Sequence, residues 1–188
     1  MLEQNTFRLS SAILIFITNL AGYLYTKYQY DKKAINKILI FNTLLSIIGM
    51  LIIYEYHDFK TFIIWFVIII LGLLYNSFAL VNKVREIPLI KNFYIGVIWA
   101  LIVFLGLESI NTWLFLLITT YISALVLPFD IRDLKDDTII TFPKLFGIRR
   151  TKQIVYLLLV ISAIIAFYIL KPDFFKSYFI ASIIAAVL

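Results

Sequence analysis

The chain has 188 residues, of which 63% are hydrophobic and 15% charged, with a mean hydropathy of +0.99. Soluble domains carry roughly 45–50% apolar residues, so this composition excludes a soluble fold and makes lipid the solvent for most side chains. The net charge of +6 comes without a basic patch interleaved with aromatics, which sets nucleic acid aside, and the lack of cysteine excludes disulfides and thiolate chemistry.

A bilayer-crossing helix needs about 20 mostly apolar residues, and seven runs approach that length. The first, 9–26, has neither a basic start nor a small-residue cleavage site before it, so it reads as a retained span. The second, 38–54, follows a loop holding Lys27, Lys32, Lys33 and Lys37. The Glu55-Tyr-His-Asp58 loop leads to the third, 59–80; its His57 is the sole histidine and reads as a surface side chain rather than a ligand. Asn76, Ser77 and Asn82 close that run, either lining a cavity or bonding a neighbouring helix, and Tyr75 is a candidate for cation–π contact. The fourth, 93–107, is short and is entered through Arg85-Glu-Ile-Pro88-Leu-Ile-Lys91-Asn. The fifth, 112–129, runs into an acid-rich segment, the sixth covers 154–170, and the seventh, 174–188, stops in mid-pattern, so the chain reads as incomplete at its end. The expected fold is all-α: a single domain over 1–188 built as a bundle of about seven transmembrane helices.

The charges sort by side. Lys27 to Lys37, Lys83 to Lys91 and Arg132 to Lys152 hold thirteen basic residues in alternate loops, whereas the intervening loops hold only Arg8, Lys60, Lys171 and Lys176. Basic loops face the cytoplasm, so the N-terminus is expected outside and the three basic loops inside, as in a multi-pass protein of a bacterial inner membrane.

The segment Pro128-Phe-Asp-Ile-Arg-Asp-Leu-Lys-Asp-Asp137 holds four of the eleven acidic residues, at the end of the fifth run. If the helix continues through it, Asp130, Asp133 and Asp137 fall within an arc of about 60°, with Asp136 elsewhere and Arg132 nearly opposite. Carboxylates sharing a face suit Mg²⁺, which keeps several waters and takes substrate phosphates at its remaining positions. Arg85, Lys91, Lys135 and Lys144, with Arg149 and Arg150, are the cations available for a diphosphate. The other reading is a solvated loop whose charges hold topology.

These residues resemble the UbiA-type membrane prenyltransferases. The second aspartate motif of that family is matched by Asp130-Ile-Arg-Asp133-Leu-Lys-Asp-Asp137, and Thr141-Phe-Pro-Lys-Leu-Phe-Gly147 is similar to its following Thr-x-Pro-x-x-x-Gly stretch; Arg85 to Asn92, leading to Trp99, looks like its basic loop. The resemblance covers roughly residues 75–150 by motif and the rest by hydropathy. It implies nine spans, of which this chain would lack terminal ones, and a first motif, Asn-x-x-x-Asp-x-x-x-Asp, near residues 19–27. There Asn19 matches, while Tyr23 and Lys27 replace the two acids. Lys27 would then neutralise a phosphate in place of a metal, or serve as an interfacial anchor beside Tyr23.

What the resemblance implies is Mg²⁺-dependent transfer of a prenyl group from a prenyl diphosphate to an aromatic or other lipophilic acceptor, with Asp130, Asp133 and Asp137 on the metal and Arg85, Lys91, Lys135 and Lys144 on the diphosphate. The alternative is a degenerate relative that binds lipid diphosphates, or acts as a structural partner, without turnover.

Overall fold

The computed structural model describes residues 9–76, 84, 87, 89–107, 110–135 and 139–187. Among them are seven α-helices: α1 (Leu9–Tyr28), α2 (Ile35–Tyr56), α3 (Phe59–Asn76), α4 (Ile90–Phe104), α5 (Thr112–Arg132), α6 (Phe142–Ile169) and α7 (Pro172–Val187). Each overlaps one of the seven apolar runs. Four of them, α1, α2, α5 and α6, are long and apolar enough to cross a membrane; α3 and α4 are apolar but shorter. Many large apolar side chains stay on the outside, among them Phe16, Ile40, Leu51, Phe66, Leu157 and Phe167. That surface is costly in water and suited to lipid.

The described residues group into two compact units, one of 9–76 with 101–107, the other of 84–100, 110–135 and 139–187. In the first, Gly49 of α2 is the meeting point: a Cβ there would lie 3.1 Å from the Trp65 ring of α3 and 3.4 Å from Ile17 of α1. Small residues at such crossings let helices approach where lipid supplies no hydrophobic driving force. Two hydrogen bonds tie the same unit, Trp65 Nε1 donating to Thr18 Oγ1 at 3.0 Å and Asn42 Nδ2 to the Ala21 carbonyl at 3.0 Å. Its turns are locally encoded. Asp31 Oδ1 accepts the Lys33 amide between α1 and α2, and Asp58 Oδ1 accepts both the amide (2.9 Å) and hydroxyl (2.8 Å) of Thr61 at the start of α3. Those bonds hold the Asp58 carboxyl below its ordinary value.

The second unit is organised by α5, α6 and α7. Ala124 and Leu127 of α5 pack with Phe142, Val155, Leu158 and Leu159 of α6. The Asn111 side chain caps α5 by accepting the Trp113 and Leu114 amides. Helix α7 is fastened by the Tyr178 hydroxyl, which donates to the buried Ser162 Oγ at 2.6 Å, and by the Tyr121 ring 5.1 Å from that of Tyr178. Helix α6 begins at Phe142, well before the apolar run at 154, and is broken at Gly147, whose φ of 80° favours glycine.

Candidate functional site

The polar centre of the second unit lies where the first turn of α4 meets the last turn of α5. Gly96 makes the approach possible: a Cβ there would fall 2.5 Å from the Thr119 carbonyl and 2.6 Å from Ser123 Oγ, so no larger residue fits without parting the helices. Ser123, fully buried, donates to Thr119 O at 2.7 Å and contacts Asn92 O at 3.2 Å, which pins the Asn92 backbone against α5. Two turns further along α5 is Asp130, only 3% exposed. Lys91 Nζ donates to its Oδ1 at 2.7 Å and Asn92 Nδ2 to its Oδ2 at 3.0 Å. A buried carboxylate requires such partners, since an unpaired one costs several kcal/mol.

Asp133 is placed differently. Helix α5 ends at Arg132, and Asp133 takes the C-cap position with φ −88° and ψ 11°. Its carboxylate points to the surface side, where Arg132 embraces it with Nε at 2.6 Å and NH2 at 2.9 Å. That pairing holds the Asp133 carboxyl below its ordinary value. The premise of a continuous helix through the motif therefore ends at Arg132, and Asp130 and Asp133 take their hydrogen bonds from different basic residues, Lys91 acting on Asp133 only through space. Asp136, Asp137 and Arg85 lie outside the described residues. Lys135 and Lys144 are exposed, the latter in the short helical stretch before Gly147. Thr141 opens that stretch, 3% exposed and in extended conformation, with Phe142 6.4 Å ring to ring from Phe93 beside Asn92.

In the first unit, Asn19 turns its Nδ2 back to the Ile15 carbonyl at 2.8 Å. Lys27 folds over α1: its Nζ is 3.3 Å from the Tyr23 hydroxyl and 5.5 and 5.3 Å from the Tyr23 and Tyr28 ring centres. Exposed Tyr23 and this lysine have the geometry of an interfacial anchor. A groove of about 670 Å³ in the same unit is lined by Leu9, Ser10 and Ile13 of α1 with Ile52, Glu55 and Tyr56 of α2. It lies at the end of α1 away from Lys27 and holds none of the expected site residues.

Among the described residues, no complete ligand set for magnesium is assembled. Both oxygens of Asp130 are occupied by Lys91 and Asn92, both of Asp133 by Arg132, and among the described residues no three acidic or imidazole side chains gather. Asn92, Gly96 and Ser123 escaped sequence reasoning. The spacing of Thr119 and Ser123, small residues four apart on α5, was the available signal for a close helix contact. Scans against family models, characterised proteins and solved structures return no match for the chain.

Proposed function

We propose that the chain is a multi-pass membrane protein, all seven helices in the bilayer and the basic loops cytoplasmic, that binds a prenyl diphosphate near the α4–α5 junction and performs UbiA-like prenyl transfer. The observation that carries this reading is the Lys91–Asp130 contact. Two segments assigned to one site from separate stretches of sequence, 39 residues apart, meet at 2.7 Å. In the proposed reaction the allylic carbon–oxygen bond breaks, the diphosphate leaves with the electron pair, and an electron-rich acceptor bonds to the allylic carbon and then releases a proton. The chain's part is electrostatic and steric: Lys91, Lys135, Lys144 and Arg85 are the cations for the leaving diphosphate, and the apolar helices keep water from the cation.

A second reading, binding of lipid diphosphates without turnover, is favoured by the engaged state of both aspartates and by Tyr23 and Lys27 where acids are expected. The two separate in one experiment. Purified full-length chain in lipid nanodiscs is incubated with a labelled long-chain prenyl diphosphate and a panel of phenolic acceptors, with and without magnesium. Prenylated acceptor with release of diphosphate supports transfer; saturable binding without release selects the second reading, and neither outcome ends both.

A further inference from the structure

The cation nearest Asp130 is the protein's own. A divalent ion of the magnesium kind needs oxygen ligands at 2.0–2.1 Å in near-octahedral order and retains several waters. At Asp130 the shell holds instead an ammonium on one oxygen and an amide NH₂ on the other, in a pocket that leaves 4% of the side chain exposed. The amide cannot easily withdraw, because Asn92 is 2% exposed and its backbone is fixed by Ser123 under the close approach at Gly96. Lys91 has a long stem and 16% of its side chain in the open, so it is the group able to leave.

We propose that Lys91 is a resident cation that takes the place of a divalent metal at Asp130, with Asn92 as the positioning residue that holds the carboxylate toward it. This deepens the diphosphate-site reading and rests on it for the site's role. The ion pair satisfies the Asp130 oxygens while closing them to metals, and Lys91 is the basic group that an incoming diphosphate meets.

The test is Mn²⁺ titration of the purified full-length chain, followed by electron paramagnetic resonance. Wild type and Asp130→Asn are expected to give coincident curves, because no ion binds at Asp130. Lys91→Gln is expected to add one Mn²⁺ site at least tenfold tighter than any in wild type, Lys91→Gln with Asp130→Asn to remove it, and Lys91→Arg, which keeps the charge, to resemble wild type. Tighter Mn²⁺ binding by wild type than by Asp130→Asn would overturn the proposal, as would a folded Lys91→Gln protein that gains no site. Should Lys91→Gln fail to fold, the comparison of wild type with Asp130→Asn decides alone. Prenyl transfer plays no part in the readout, so loss of that reading and loss of this one are separate results.

Discussion

Two aspartates three residues apart in one motif have opposite fates, and the difference is burial. Asp130 is enclosed and depends on Lys91 and Asn92; Asp133 is half open and held chiefly by its neighbour Arg132, with a weaker electrostatic pull from Lys91. Lys91→Met leaves a buried carboxylate uncompensated and is expected to destabilise the folded chain by about 3–5 kcal/mol. Asn92→Leu removes one charged hydrogen bond and is expected to cost about 1.5–3 kcal/mol. Asp133→Asn is expected to leave the thermal midpoint in detergent unchanged, since exposed pairs contribute little. A scan in which all three shift the midpoint equally would contradict this separation. Lys91 and Asp130 stood out in the sequence as charges placed at the ends of apolar runs. Their mutual pairing did not, because it depends on how closely α4 meets α5, and that is set by the unadorned Cα of Gly96.

The helices themselves were largely legible, since hydropathy reports where lipid contact is needed. Helix α6 shows the limit: Arg149, Arg150 and Lys152 are exposed and polar, and they cut the apolar residues Phe142, Leu145, Phe146 and Ile148 off from the run that starts at 154, so the sequence reads the start of the helix too late. Gly96→Ala is the sharpest test of packing between elements. The added methyl meets a backbone carbonyl rather than a yielding side chain tip, and overpacking of this kind costs about 1–3 kcal/mol; circular dichroism melts would show it, and a neutral result would disprove the close α4–α5 contact. At the start of α3 the Asp58 cap adds a pH term. Its carboxyl is held below the usual 3.8, so its stabilisation is complete above that value and is lost as pH falls through the lowered one. Asp58→Ala is expected to cost about 1 kcal/mol at neutral pH, a cost that fades as acid protonates the wild-type carboxyl below its lowered value; a cost undiminished in acid would rule out the cap.

For the molecule as a whole, the distribution of basic residues sets the proposed orientation. A cysteine placed within residues 32–36 is expected to be shielded from an impermeant thiol reagent in intact cells, and one at position 58 to be labelled; the reverse pattern would invert the membrane orientation and remove the cytoplasmic site. Within the second unit the beginning of α4 and the end of α5 lie together, at the Lys91–Asp130 contact. The 39-residue separation of Lys91 and Asp130 also has a meaning in time. At ribosomal rates of 5–20 residues per second, α4 emerges roughly two to eight seconds before its counter-charge. Through that interval Lys91 has yet to meet Asp130, so the pair closes only after α5 has followed α4 out of the ribosome. The arrival of α5 then seats both as a hairpin, and the order of synthesis becomes the order of assembly.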